Sequence, residues 1–156
     1  NKYTPEPAKV MAHVENYAKY FYAVTGRKVT VDDLILMSER VYNFQRIFNL
    51  RMGFGKREQD TLPYRAIGPV TEEEYDSRAE RYDKQLREKV GFNPEGKSTK
   101  EKVAILRKYR EEEYEKLKDA VYKRRGWNHN GVPTPDKVRE LGIDTSDIVK
   151  LIEKFQ

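Results

Sequence analysis

Apolar residues recur along this chain mostly at alternating steps of three and four, the spacing of one face of an α-helix. Val10, Val14, Tyr17, Phe21 and Val24 make a first stripe between Thr4-Pro5 and Gly26. Thr30 opens a second helix, with Asp33 three residues on as an approximate capping box, and Leu34, Met37, Val41, Phe44 and Phe48 follow as its stripe. Both stripes are expected to face a core. A third helix opens at Thr71-Glu-Glu-Glu74 and carries Tyr75, Ala79, Tyr82, Leu86 and Val90 up to Gly91. Ser98-Thr-Lys-Glu101 opens the longest helix, with Val103, Leu106, Leu117 and Val121 apolar and Tyr109 and Tyr114 between them. A short helix over Pro135–Leu141 and a last one with Ile148, Leu151, Ile152 and Phe155 follow. No strand pattern is of comparable quality. The expectation is an all-α, multihelical fold of about six helices in one domain over residues 1–156.

Two stretches break the periodicity. Residues 53–70 hold three Gly and two Pro, so no helix runs through them. That is long for a connection inside a compact domain and points to a functional or interface loop. The second stretch, Arg125-Gly-Trp-Asn-His-Asn-Gly-Val-Pro-Thr-Pro135, reads as a fixed corner. Gly126 ends the long helix, Asn130-Gly131 turns the chain, and Thr134-Pro135 restarts a helix as N-cap and first residue.

Charge adds one question. Charged residues make up 37% of the chain and the net charge is +5. Lys97 to Arg125 contains eleven basic and six acidic residues, so that helix carries the whole excess. The pairs Arg107–Glu111, Lys108–Glu112, Glu112–Lys116 and Asp119–Lys123 stand at i, i+4, and the expected arrangement is a solvated, salt-bridged face. A basic helix and eleven Tyr also raise nucleic-acid binding. Tyr17, Tyr75 and Tyr82 fall on helix stripes, however, where burial explains them, so nucleic acid is disfavoured as a partner. No stretch approaches the ~20 apolar residues of a membrane span, and no membrane partner is expected. The chain has no cysteine, which removes disulfides, zinc ribbons and thiolate-held clusters and suits a reducing, cytoplasmic setting. His13 and His129 make no metal motif. A chain opening on Asn1 rather than Met is expected to be a piece of a longer one.

Paired carboxylates such as Glu111 and Glu112 lie on charged helix faces rather than in an acid–base pair. Arg40, Asn43, Arg46, Asn49 and Arg51, followed in the irregular loop by Arg57, Asp60 and Arg65, are more informative. Guanidinium groups beside a loop bind an anion bidentately or fix the loop by pairing with Asp60 and nearby Glu; fixing is the expected role. Trp127 is expected to anchor the corner.

Two ordered blocks carry a family resemblance. Ser38-Glu-Arg-Val-Tyr-Asn-Phe-Gln-Arg-Ile-Phe-Asn-Leu-Arg-Met-Gly-Phe54 with Asp60-Thr-Leu-Pro63 is one, and the Arg125–Pro135 corner with Leu141-Gly142 is the other; Thr25-Gly26 also fits. Together they resemble the C-terminal helical portion of the tungsten-containing aldehyde ferredoxin oxidoreductase family. The resemblance implies a parent with an N-terminal β-rich domain, a tungsten-bis-pterin cofactor beside a [4Fe–4S] cluster, and oxidation of aldehydes to acids with ferredoxin as acceptor. This chain lacks every cysteine such a cluster requires, so no cofactor ligand is carried over, and the chain alone is expected to be inactive. Its implied partners are the remainder of the parent chain and ferredoxin or an electron-transfer subunit. Arg46, Asn49, Arg51, Arg57, Asp60, Arg65 and Trp127 become candidates for walling a cofactor and substrate cavity or for fixing the loop that does. The stretch from Val70 to Glu115 looks expanded and charged, which leaves open a tungsten subunit of an aromatic acyl-CoA reductase. A stand-alone basic helical binding module is the third alternative.

Overall fold

The computed structural model describes residues 7–155, with side chains from His13 onward. The chain is all-α and multihelical; the described residues contain no extended strand. Its elements are α1 (Pro7–Thr25), α2 (Val31–Arg51), α3 (Tyr64–Ile67), α4 (Glu72–Asp76), α5 (Ala79–Gln85), α6 (Thr99–Arg125), α7 (Pro135–Glu140) and α8 (Ser146–Glu153). They gather into two compact units. Residues 1–55 and 132–156 form one, with α1, α2, α7 and α8; residues 56–131 form the other, with α3 to α6.

Local sequence sets the helix ends. The Asp33 amide donates to Thr30 Oγ1 at 3.1 Å and the Thr30 amide donates to the Asp33 carboxylate at 2.8 Å, the expected reciprocal cap. These Thr30 contacts hold the Asp33 carboxyl below its ordinary value. Thr71 caps α4 through the Glu74 amide at 3.2 Å, but the Glu74 carboxylate reaches the Val70 amide instead. The helix expected to run from Thr71 to Gly91 is broken at Ser77–Arg78, where Ser77 Oγ donates to the Glu74 carbonyl at 2.9 Å. After α5 the chain continues as a single π-turn over Leu86–Val90.

That interruption does not disturb the stripe. Tyr75, Tyr82, Leu86 and Leu106 form the core of the 56–131 unit, with Ala79, Val90 and Val103 packed against it. Tyr75 and Tyr82 meet at a ring separation of 5.2 Å. Burial, and then the carboxylate of Asp83 accepting its hydroxyl at 2.7 Å, push the Tyr75 phenol well above its ordinary value.

The stripe read on α2 is corrected. Val41, Phe44, Phe48 and Met52 are 54–60% exposed, and the residues α2 buries are Asn43, Arg46, Ile47 and Leu50. Ile47 and Leu50 join Val132, Val138, Ile148 and Ile152 in the core of the other unit. Asn43 lies in the buried row because its amide donates to the Glu39 carbonyl of its own helix at 2.9 Å. On α1, Tyr17 and Val24 are exposed while Val14 and Phe21 are half-buried; the side chain of Val10 lies outside the described residues. Leu117 and Val121 on α6 are likewise exposed.

Candidate functional site

The irregular segment is not slack. Its 57–70 portion lies along α6 and is held there by side chains the helix presents at successive turns. Arg107 is buried, donating from Nη1 to the carbonyls of Tyr64 and Pro69, each at 3.2 Å, and from Nη2 to Tyr64 again. Its guanidinium stacks on the Tyr64 ring at 3.6 Å. One turn on, Arg110 donates to the carbonyls of Ile67 and Gly68 and to Gln85 Oε1 at 2.7 Å. Burial pulls the Arg110 guanidinium below its ordinary value.

Farther along the same face, Tyr114 Oη and Lys118 Nζ donate to the carbonyl of Asp60 at 3.1 and 3.2 Å, and the Tyr122 hydroxyl donates to the Asp60 carboxylate. Arg57 completes the clamp. It donates to Asp119 and Glu115, each at 2.6 Å, and to the carbonyl of His129 at 3.1 Å. Asp119, then Glu115, hold Arg57 above its ordinary value; Lys118, then Arg57, hold the Glu115 carboxyl below its own.

The expected solvated face is thereby corrected for Arg107 and Lys118, both buried, and for Arg110. The signal was in the sequence: Arg110, Tyr114, Lys118 and Tyr122 stand at i+4 steps, with Arg107 three residues before the first of them. All five side chains end in donors, and the loop offers the acceptors.

The candidate residues fall into two sets, one in each unit. Arg57 and Asp60 are central to the clamp, whereas the Arg65 side chain is exposed. Trp127 is buried at the corner, its ring 5.7 Å from that of Tyr122, with the Arg125 guanidinium 5.8 Å from its centre. In that corner Gly126 adopts φ 67°, the left-handed conformation that lets the Trp127 amide donate to the Tyr122 carbonyl at 2.9 Å. In the other unit Asn49 accepts the Phe54 amide on its backbone carbonyl at 2.8 Å. A β-carbon on Gly55 would sit 3.1 Å from Asn49 Cβ and 3.3 Å from the Arg46 carbonyl, and Gly55 has φ 81°, so only glycine fits. Arg51 donates to Asp147 at 2.6 Å. The Thr145 hydroxyl, then Arg51, lower the Asp147 carboxyl to about 2.

Beside the clamp is an open groove of about 1020 Å³, lined by Tyr64, Thr71, Asp76, Lys100, Arg107 and Lys108 among others. Among the described residues no group of three or more His, Asp or Glu is arranged to hold a metal ion. With no thiolate in the chain, these residues do not fit as ligands of an iron–sulfur cluster. No helix among the described residues is long and apolar enough to cross a membrane.

Among the described residues the architecture is thus helical, with an irregular loop held along α6. Residues 2–143 match the family described as aldehyde ferredoxin oxidoreductase, domains 2 & 3, and the chain belongs to that family. Similar curated proteins are tungsten-containing aldehyde ferredoxin oxidoreductases. The one from Pyrococcus horikoshii is 26% identical over 130 residues, that from Pyrococcus furiosus 27% over 129, and that from Thermococcus kodakarensis 26% over 129. Each alignment covers 83% of this chain but only 16% of the relative's length. No solved structure matches significantly.

Proposed function

We propose that this chain acts as the C-terminal helical region of a tungstopterin aldehyde:ferredoxin oxidoreductase-type enzyme, where it helps wall the cofactor and substrate cavity. The family match over residues 2–143 supports the parentage. The clamped loop is the observation that carries the role: five α6 side chains and Arg57 hold residues 57–70 in one conformation. A wall that orients a substrate must not reorganise as the substrate enters, and donors locked onto backbone carbonyls provide that rigidity. Tungsten and the iron–sulfur cluster would be held entirely by the remainder of the polypeptide, with ferredoxin or an electron-transfer subunit as acceptor and a cytoplasmic setting. The present residues contribute shape and exclusion of water. Asn49 and Gly55, the latter closely packed on Asn49 and Arg46, fix where the loop leaves α2, and Arg57 and Asp60 fix its course on α6. Arg65, with an exposed side chain, is the candidate for facing the cavity.

The test is to express this chain together with the non-matching part of the Pyrococcus furiosus relative, in tungstate-supplemented cells, and to measure aldehyde-dependent reduction of a viologen dye. Activity is expected only when both parts are present. Within that complex, Leu62→Trp on the loop should raise KM for a bulky aromatic aldehyde several-fold more than for acetaldehyde, since one misfitted group changes pocket selectivity by roughly 10-fold or more. Equal effects on both substrates would remove the loop from the wall. Absence of any association between the two parts would overturn the proposed role as one region of such an enzyme.

A further inference from the structure

The turn between α7 and α8 closes a recess against α2. Gly142, at φ 64°, turns the chain so that the Ile143 amide donates to the Val138 carbonyl at 3.0 Å. Ile143 and Ile148 then face Phe44, Ile47 and Phe48 of α2 across a space of about 340 Å³. That volume falls at the small end of the roughly 300–1,000 Å³ of small-molecule sites. All of it lies within the unit formed by residues 1–55 and 132–156. Ile47 and Ile148 are buried and make the floor, while Phe44 and Phe48, one helical turn apart, stand half in solvent as a wall.

The mouth of the recess is polar, and its hydrogen-bonding capacity is lopsided. Arg51, Thr145 and Asp147 line it, with the Arg51 and Asp147 side chains 52% and 60% exposed. Both Asp147 oxygens are engaged: one accepts the Thr145 hydroxyl and the other Arg51 Nη2, each at 2.6 Å. Among the described residues that is the one hydrogen bond the Arg51 side chain makes, which leaves four of its five N–H groups without a protein partner. The mouth therefore holds spare donors on a cation beside acceptors already taken. Such a complement selects an anion, and the fork of a guanidinium suits a planar carboxylate on two parallel bonds.

We propose that this recess binds a small organic monocarboxylate, with its aryl or branched alkyl body against Phe44, Ile47, Phe48 and Ile148 and its carboxylate on Arg51. A few placed polar groups at the edge of an apolar hollow are what orients such a ligand. An organic cation fits poorly, since Arg51 repels it and both Asp147 oxygens are occupied. A neutral molecule of the same shape fills the hollow but leaves the Arg51 donors to water. The Asp147 carboxylate opposes the bound anion, so removing its charge strengthens binding. The site stands apart from the clamp, which is built by residues of the other unit.

The test is an isoleucine methyl NMR titration of this chain at neutral pH with 4-phenylbutyrate, 4-phenylbutanol and 4-phenylbutylamine. Ile47, Ile143 and Ile148 report the recess, and Ile67 and Ile105, in the other unit, are the reference. Saturable shifts confined to the first three are expected, with a Kd for phenylbutyrate that is roughly millimolar, as suits a ligand of about twelve non-hydrogen atoms. The alcohol should bind about three- to fivefold more weakly, the scale of a half-exposed ionic contact, and the amine more weakly still. Arg51→Met should bring the carboxylate down to the alcohol. Asp147→Asn keeps an acceptor for Arg51 and should raise carboxylate affinity several-fold while leaving the alcohol unchanged, a gain that damage to the fold does not produce. Equal binding of carboxylate and alcohol, or a preference that survives Arg51→Met, overturns the role of Arg51 and the class of ligand with it. Shifts at Ile67 and Ile105 as large as those at the recess, or no saturable shift at Ile47, Ile143 and Ile148, overturn the site.

Discussion

Asp60 shows how one loop residue is fixed from both ends. Its carbonyl accepts Tyr114 and Lys118, while its carboxylate accepts Tyr122. Tyr122→Phe removes one of these without opening a cavity, because the ring still packs against Trp127. A hydrogen bond to a charged acceptor is worth about 1.5–3 kcal/mol in the interior, and Asp60 is only half-buried, so a loss of about 1–2 kcal/mol is expected in urea unfolding. A loss below about 0.3 kcal/mol would mean that water replaces the phenol at no cost. Asp147 gives a pH signature instead. Its folded value of about 2 lies below the ordinary carboxyl value of 3.8, so its contribution is present above pH 4 and disappears as pH falls from about 4 to about 2. Asp147→Asn should flatten that part of the stability–pH curve. An unchanged slope between pH 4 and 2 would exclude the Thr145 and Arg51 contacts in solution. Neither role was legible beforehand, since Asp60 was marked as a loop partner without its donors, and Asp147 lies 96 residues from Arg51.

At the scale of elements, what could be read from the pattern depended on whether buried positions were apolar. The stripe Tyr75–Ala79–Tyr82–Leu86–Val90 survives a break in its helix because each member reaches the same core. On α2 the most apolar row faces outward, and the core row contains Asn43 and Arg46, which a hydrophobicity count assigns to solvent. On α6 the binding row is polar because its partner is backbone carbonyl rather than side-chain carbon. A charge-rich face and a loop-reading face then differ only in where their partners lie, which spacing does not record. The clamp itself makes a sharp prediction. Arg107→Lys keeps the charge but loses the planar fork that serves Tyr64 and Pro69 together and stacks on the Tyr64 ring. Residues 64–69 should then exchange amide hydrogens about tenfold faster or more, while the caps at Thr30 and Thr134 keep their protection. Equal acceleration throughout the chain would indicate global destabilisation and no particular hold on the loop.

For the whole molecule, the order of the units along the chain constrains how it unfolds. The unit of residues 56–131 is inserted between the two segments that build the other. If the insert unfolds while its host stays folded, the host must close a disordered loop of 76 residues. That closure costs about 4 kcal/mol from the logarithmic length dependence, comparable with the whole stability of a small domain. The reverse order carries no such penalty, because an unfolded host leaves the insert's ends free. We propose on this account that unfolding of the insert inside a folded host is suppressed. Trp127 makes the order observable, since it is the only tryptophan and belongs to the insert, whereas far-UV circular dichroism reports helices in both units. In a urea titration the Trp127 signal should change together with the dichroism or after it. If they separate, the dichroism should change first, as the host gives way beneath an intact insert. Loss of the Trp127 signal at lower urea than the helical signal is the one order the closure cost forbids, and observing it would refute the coupling.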